Sequence, residues 1–148
     1  MTAYNMTPVY TCQLVREKTL RTRAVCNSSI RAKLVAKEML EDSPNEQFVV
    51  ILLDTKLKVI GAHVVSVGVL DATMVNPREV FRAAYLANAG SIIVAHNHPS
   101  GDTTPSREDW AVYDRLKECA NLLGVAVLDS LIVGNDVFSM AENSSTSF

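Results

Sequence analysis

Read for its alternation of apolar and polar positions, the chain divides into helical and strand segments behind an extended lead-in. Residues 1 to about 26 are mixed in character, with a loose alternation over Val9-Tyr10-Thr11-Cys12-Gln13-Leu14-Val15 of the kind an edge strand shows. Asn27, Ser28 and Ser29 are helix-capping types, and the apolar positions Ile30, Leu34, Val35, Met39 and Leu40 predict a helix over about 29–42 with one buried stripe. Asp42-Ser43-Pro44-Asn45 ends it, because proline cannot continue a helix and keeps the residue before it out of the helical region. Phe48-Val49-Val50-Ile51-Leu52-Leu53 is an unbroken apolar run, as in a strand covered on both faces. Beyond a turn at 54–58, a second strand over about 59–69 is expected to pair back as a hairpin, with Gly61 and Gly68 as bulge or bend positions.

A polar link at Asp71-Ala72-Thr73 leads to Asn76-Pro77, where proline at the first helical position and Glu79 in the first turn start a second helix. Its buried stripe is expected to hold Val80, Phe81, Ala84, Tyr85 and Ala87, with Gly90 past its end. Ile92-Ile93-Val94-Ala95 reads as a short central strand. A third helix begins near Pro105 or Ser106, continues through Trp110, Val112, Tyr113, Leu116, Ala120 and Leu123, and stops at Gly124. The segments 125–128, 129–134 and 137–139 read as the final strands, and Ala141 to Phe148 as a frayed polar end. The order α-β-β-α-β-α-β-β predicts a single α/β domain, a mixed β-sheet flanked by helices.

The bulk properties narrow the function classes. A chain of 148 residues is most economically one domain with a core of its own. A net charge of -2 gives no electrostatic footprint for nucleic acid, and the local cluster Arg16, Lys18, Arg21, Arg23 and Arg31 reads as a solvated face. The apolar runs are strand-sized, far short of the roughly 20 residues of a membrane-spanning helix. The N-terminus lacks the basic flank and apolar core of a secretion signal, so a cytoplasmic location is expected. Cys12, Cys26 and Cys119 form no CxxC pair and are read as reduced structural thiols.

The chemistry gathers between Ala95 and Asp109. On an extended segment positions i and i+2 share a face, so His96 and His98 can turn their imidazoles to one point. Asp109 lies about one turn inside the following helix, and the loop through Pro99-Ser100-Gly101 can fold back to bring its carboxylate there. Two nitrogens and one oxygen leave the fourth tetrahedral position of a zinc ion to water, the arrangement of catalytic rather than structural zinc. His63 has no such company and reads as structural.

Four carboxylates compete for the role of general base: Glu46, Glu79, Asp102 and Glu108. Glu108 adjoins Asp109 and points about 100° away from it on a helix. Asp102, beside Gly101, suits a turn that bonds its own backbone, and Glu79 suits a helix N-terminus. Glu46 stands directly before a buried strand, where a charge needs a partner, and is favoured, with Glu79 held open. Ser106-Arg107-Glu108-Asp109 has the form of a capping box. Capping and catalysis are evenly matched readings of Ser106 and can coexist, the catalytic one being a hydrogen bond to a developing oxyanion.

Together, Glu46, His96-x-His98-Pro99, Ser106 and Asp109 resemble the JAMM signature of the JAB1/MPN metalloprotease superfamily. The longer string His96-Asn97-His98-Pro99-Ser100-Gly101-Asp102, with Pro105-Ser106-Arg107-Glu108-Asp109, Val75-Asn76-Pro77-Arg78-Glu79-Val80-Phe81 and Val127-Leu128-Asp129, is similar to its bacterial RadC-like (UPF0758) branch in particular. The resemblance runs over about 27–142. It implies a JAB1/MPN-like, cytidine-deaminase-like architecture over 27–148 behind a lead-in of 1–26. It also implies zinc held by His96, His98 and Asp109, with Glu46 as base and Ser106 supporting the oxyanion. Asn97, where many relatives carry Ser or Thr, marks the branch. Eukaryotic members hydrolyse isopeptide bonds to ubiquitin with the help of insertions that this chain does not show. The helix-hairpin-helix segment of longer RadC proteins also has no counterpart here, so the chain is expected to be the catalytic-type domain alone. The function implied is a zinc-dependent metallopeptidase or isopeptidase acting on a peptide or protein substrate. The alternative is a catalytically silent zinc-containing binding module linked to DNA or mobile-element processes.

Overall fold

The computed structural model describes residues 6–19, 24–68 and 75–144. The elements run α1 (Ser29–Leu40), β1 (Gln47–Leu53), β2 (Val59–Val67), α2 (Pro77–Leu86), β3 (Ser91–Asn97), α3 (Arg107–Leu123), β4 (Ala126–Val133) and β5 (Val137–Ser139), the expected order. The strands form one mixed sheet in the spatial order β2-β1-β3-β4-β5. Only β3 and β4 pair in parallel, and α3 supplies the crossover that a parallel pair requires. Strand β1 lies between β2 and β3, antiparallel to both, with Phe48 opposite His96.

Successive side chains on β1 and β3 point to opposite faces, and each face has its own core. Phe48, Val50, Leu52, Ile92 and Val94 pack with Val80, Phe81 and Ala84 of α2 and Val112 and Leu116 of α3. Val49, Ile51, Leu53, Ile93 and Ala95 pack with Ala32, Val35, Ala36 and Leu40 of α1 and with Leu131 and Val133 of β4. The sheet is therefore sandwiched, α1 on one side and α2 and α3 on the other. This explains why β1 and β3 carry no polar alternation: both of their faces are buried. No helix among the described residues is long and apolar enough to cross a membrane.

Several expectations change in detail. Residues 6–19 hold no strand, and within the expected edge strand Val9 and Tyr10 are exposed; an alternating stretch needs a ladder partner to become a strand. Among its described residues the lead-in meets the sheet at Ala24 to Cys26, where Val25 bridges to Lys58, Ala24 accepts the Val59 N–H and Cys26 is buried in the α1-side core. On α1 the buried stripe is Ala32, Val35, Ala36 and Leu40 with Met39 beside it, while Ile30 and Leu34 face solvent. The buried spacing is i, i+3, i+4, i+8 rather than the i, i+4, i+5 expected from the large apolar residues, and two of its positions are alanines that let the helix lie close on the sheet. On α2, Ala83 is buried and Tyr85 is half-exposed, its hydroxyl donating to the Leu123 carbonyl at 2.6 Å. Asn88, not Gly90, takes the left-handed position after α2, with φ 51°. Gly90 instead passes tightly against Thr55 and donates its N–H to the Leu53 carbonyl.

Strand β3 runs to Asn97, beyond the expected Ala95, so His96 and Asn97 belong to the sheet. Segments 125–128 and 129–134 merge into β4. Residues 141–144 form a bonded turn rather than a frayed end: buried Asp129 accepts from the Ser130 and Ala141 N–H groups and from the Ser139 hydroxyl, at 2.7, 3.0 and 2.6 Å. The register shift between Leu52 and Leu53 falls opposite Gly61, as expected of a bulge there, and Gly68 sits at φ 110°. The end of the second strand at Val69, the link Asp71-Ala72-Thr73, Arg21 and Arg23 of the basic cluster, and residues 145–148 lie outside the described residues.

Candidate metal centre

The end of β3 delivers the two histidines. His96 is the sixth strand residue and almost fully buried, its ring stacked on Phe48 from the neighbouring strand with centroids 5.9 Å apart. His98 follows the strand, held by its own N–H to the Val133 carbonyl of β4 at 2.9 Å. Their Nε2 atoms approach to 3.1 Å. The His98 Nδ1 meets the Asp102 carbonyl oxygen at 2.8 Å, an outer contact that makes Nδ1 the protonated nitrogen of a neutral ring and frees Nε2 as a lone-pair donor.

The loop that carries the chain from β3 to α3 is ordered by its own polar side chains and by the β4–β5 turn. Asp102 accepts the Thr104 N–H at 2.9 Å, which confirms it as a turn residue. Thr103 donates to Asp136 at 2.8 Å, and Asn135 donates its N–H to the Gly101 carbonyl at 2.9 Å. Gly101 sits at φ +87°, and a Cβ on Gly134 would run into the Gly101 backbone, so the two strands of this contact close only because both residues are glycine. Beside the loop lies an open cleft of about 260 Å³ bordered by Ser43, Pro44, Asn97, His98, Gly101 and Asn135.

Helix α3 then brings in Asp109. Ser106 caps the helix, its hydroxyl accepting the Asp109 N–H at 3.0 Å while Asp109 Oδ2 accepts the Ser106 N–H at 2.8 Å. The reciprocal pair is a complete capping box, so the structural reading of Ser106 holds. The same cap orients the Asp109 carboxylate toward the histidines: Oδ1 lies 3.1 Å from His96 Nε2 and Oδ2 3.3 Å from His98 Nε2. Burial works against ionisation of Asp109, but its hydrogen bonds with His96 and His98 together outweigh it and hold the carboxyl well below the usual range. The hydrogen bond to Asp109 raises the His98 pKa, against the smaller opposing effect of burial.

Glu46 joins from the residue just before β1. It precedes Gln47, and alternation from Phe48 places its side chain on the His96 face. A carboxylate oxygen of Glu46 and one nitrogen from each histidine lie within 4.8 Å of one another, a group that could hold a metal ion. Glu79 is elsewhere, paired with Arg82 at 2.9 Å in the first turn of α2. Glu108 is exposed, and His63 is exposed on β2. Trp110 packs against buried Tyr113, in a small cluster with Ile132 and Met140. Cys12, Cys26 and Cys119 are all free thiols.

The donors are of the type that holds a divalent ion: ligands about 2.0–2.1 Å from zinc would stand roughly 3.3 Å from one another, and the two Nε2 atoms are 3.1 Å apart, with Asp109 meeting them through different oxygens, Oδ1 3.1 Å from His96 and Oδ2 3.3 Å from His98. With Nε2 turned inward, the buried His96 Nδ1 finds no hydrogen-bond partner among the described residues. Sequence reasoning missed Asn97 as a participant. Its side chain bonds the backbone on both sides of Glu46, and the available signal was a polar residue closing an otherwise apolar strand.

Comparison with known proteins agrees with this geometry. Residues 25–145 match the family model described as a RadC-like JAB domain. The chain is 45% identical over 121 residues to a UPF0758 protein of Rubrobacter xylanophilus, covering 82% of this chain and 53% of that one. It is 47% identical over 114 residues to a UPF0758 protein of Clostridium kluyveri, covering 77% and 50%. With the UPF0758 protein of Thermotoga maritima the identity is 47% over 107 residues, covering 72% and 48%. The chain thus spans about half the length of the curated relatives it matches. The family match and the Glu46, His96 and His98 group fit a metal-dependent hydrolase-like module.

Proposed function

Because the chain belongs to the RadC-like JAB domain family, we propose that it is a zinc-dependent hydrolase of peptide or isopeptide bonds, with His96, His98 and Asp109 as the metal ligands and Glu46 as the general base. The observation that carries this reading is the convergence of two Nε2 atoms and one carboxylate at 3.1–3.3 Å, with a second carboxylate, Glu46, on the same face within 4.8 Å of the histidines. Two acids face the same pair of histidines, and the work divides between them. Asp109 contacts both imidazoles and is kept ionised by them, which suits a ligand.

Zinc in this site supplies a Lewis acid that makes water acidic near neutral pH and polarises a carbonyl. Glu46 takes the proton of the attacking water as the oxygen–carbon bond forms. It returns that proton to the amine nitrogen as the carbon–nitrogen bond breaks, so the reaction leaves Glu46 as it began. Ser106 accepts the Asp109 N–H and keeps its own hydroxyl hydrogen, which it donates to the oxygen where negative charge develops. The Asp102 carbonyl keeps His98 in the tautomer that presents Nε2. Capping and oxyanion support are therefore compatible uses of one hydroxyl.

The test is direct. Purified protein is expected to hold about one zinc per chain and to cleave members of a peptide library. Glu46→Gln is expected to keep the zinc and lose about 10²- to 10⁴-fold in rate. Undiminished cleavage by Glu46→Gln would remove the base assignment. Zinc binding without cleavage of any peptide or isopeptide substrate would favour a binding module in place of an enzyme.

A further inference from the structure

We propose that Asn97, the residue between the two histidines, is a positioning residue that fixes the direction of the Glu46 side chain from the opposite face of the sheet. The proposal rests on the reading of Glu46 as the base, and deepens it. Alternation along β3 turns Asn97 away from His96 and His98, toward the α1 face, so it does not reach the point where the imidazoles meet. It is only 3% exposed, and a buried amide must be bonded to be tolerated.

Its bonds all go to one short segment. Oδ1 accepts the Gln47 N–H at 2.8 Å, and Nδ2 donates to the Asn45 carbonyl at 3.0 Å and to the Ser43 carbonyl at 3.4 Å. The Asn45 carbonyl and the Gln47 N–H belong to the two peptide planes that flank the Glu46 α-carbon. Gly68 donates its N–H to the Glu46 carbonyl at 2.8 Å, on the second of those planes. With both planes held, the φ and ψ of Glu46 are set, and so is the direction in which its side chain leaves the backbone. The partners also settle which way the amide faces, since only an oxygen can accept from Gln47 and only a nitrogen can donate to Asn45.

The consequence is geometric coupling. The backbone that presents both histidines carries, in the middle, the side chain that presents the base, so Glu46 and the imidazoles move as one unit although they are fifty residues apart. Asparagine is the side chain for this task at this length. Aspartate keeps the acceptor toward Gln47 but sets a charged oxygen against two carbonyls. Alanine keeps neither bond.

The experiment uses Asn97→Ala and Asn97→Asp, read in four ways. In metal-free protein, Asn97→Ala is expected to speed amide exchange at Gln47 about tenfold while Val50 and Ile51 keep their protection. Zinc affinity, measured by chelator competition, is expected to change by less than about threefold, since no ligand is touched. In protein loaded with cobalt(II), the paramagnetic shift of the Glu46 side chain is expected to shrink in both variants as its position spreads. Turnover is expected to fall about 10- to 100-fold in kcat with little change in KM. Asn97→Asp is expected to keep Gln47 protection and still lose the Glu46 shift and the turnover. Unchanged Gln47 exchange in Asn97→Ala, an unchanged Glu46 shift, or zinc affinity falling in step with kcat would each overturn the proposal. If wild-type protein binds zinc and cleaves nothing, the hydrolase reading fails by itself, and the exchange and cobalt measurements still decide the clamp.

Discussion

The two faces of the central sheet share the same strands and end differently. Toward α1, the side chains of β1 and β3 stay apolar through Val49, Ile51, Leu53, Ile93 and Ala95 before Asn97 closes the row. Toward α2 and α3 the row is equally apolar through Phe48, Val50, Leu52, Ile92 and Val94, and then turns into Glu46 and His96, with His98 just beyond the strand. The histidine rings are thus the next rungs of a core ladder, and Phe48 packs on His96 as it would on another apolar neighbour. A polar cluster in such a place costs desolvation, which is offset only if its members satisfy one another. Here the polar groups are seated by apolar packing on one side, through Phe48, and by one another on the other.

That comparison breaks most severely at Asp109. Asp109→Asn keeps the shape and an acceptor for the Ser106 N–H, but removes the negative charge that both imidazoles face. Zinc content after purification is expected to drop from about one equivalent to below about a tenth, because two neutral imidazoles alone leave the ion short of ligands. Melting of the metal-free protein should change far less than its metal content. Full zinc content in Asp109→Asn would mean that Glu46 completes the site in its place.

The opposite face gives the converse result. Leu53 is fully buried under α1 and touches nothing in the site. Leu53→Ala is expected to cost about 2–5 kcal/mol of stability by thermal or urea unfolding, with zinc stoichiometry and the rate below the melting range preserved. Loss of zinc affinity in the folded variant would show that the two faces are not separable.

How much of this was legible in the sequence follows from distance along the chain. His96, His98 and Asp109 lie within fourteen residues, on a strand end, a turn and a helix start whose local signals are strong, and the structure brings them together as expected. The capping box was equally readable, since it is a four-residue motif. Glu46 was legible by elimination among four carboxylates and through the resemblance, not through local spacing. Its place beside the histidines depends on the pairing of Phe48 with His96, a long-range register that spacing suggests but does not specify. The α1 stripe was misjudged because large apolar residues draw attention, whereas Ala32 and Ala36 face the sheet. Asn97 was read only as a mark of the branch, because its role consists of bonds to backbone fifty residues away, and composition carries no trace of those.

The smallest expected effect separates the faces by pH. The apolar cluster under α1 contains Cys26, whose thiol is pushed up by burial and stays neutral through the physiological range. The other face titrates. The His98 pKa is raised in the folded protein, first through its hydrogen bond to Asp109, so the stability it contributes is complete below about pH 6.5 and is lost as pH rises through the folded value. Asp109 is depressed, so its contribution is present above about pH 4 and is lost as pH falls further. Metal-free protein is therefore expected to be most stable between these limits and to weaken from pH 6 to pH 8. Zinc reverses the upper limb, because the metal needs His98 unprotonated and binds better as pH rises. Urea unfolding across that range, with chelator and with zinc, reads both limbs. A metal-free curve that stays level between pH 6 and 8, with zinc adding the same increment throughout, would mean that His98 and Asp109 do not meet in the absence of metal.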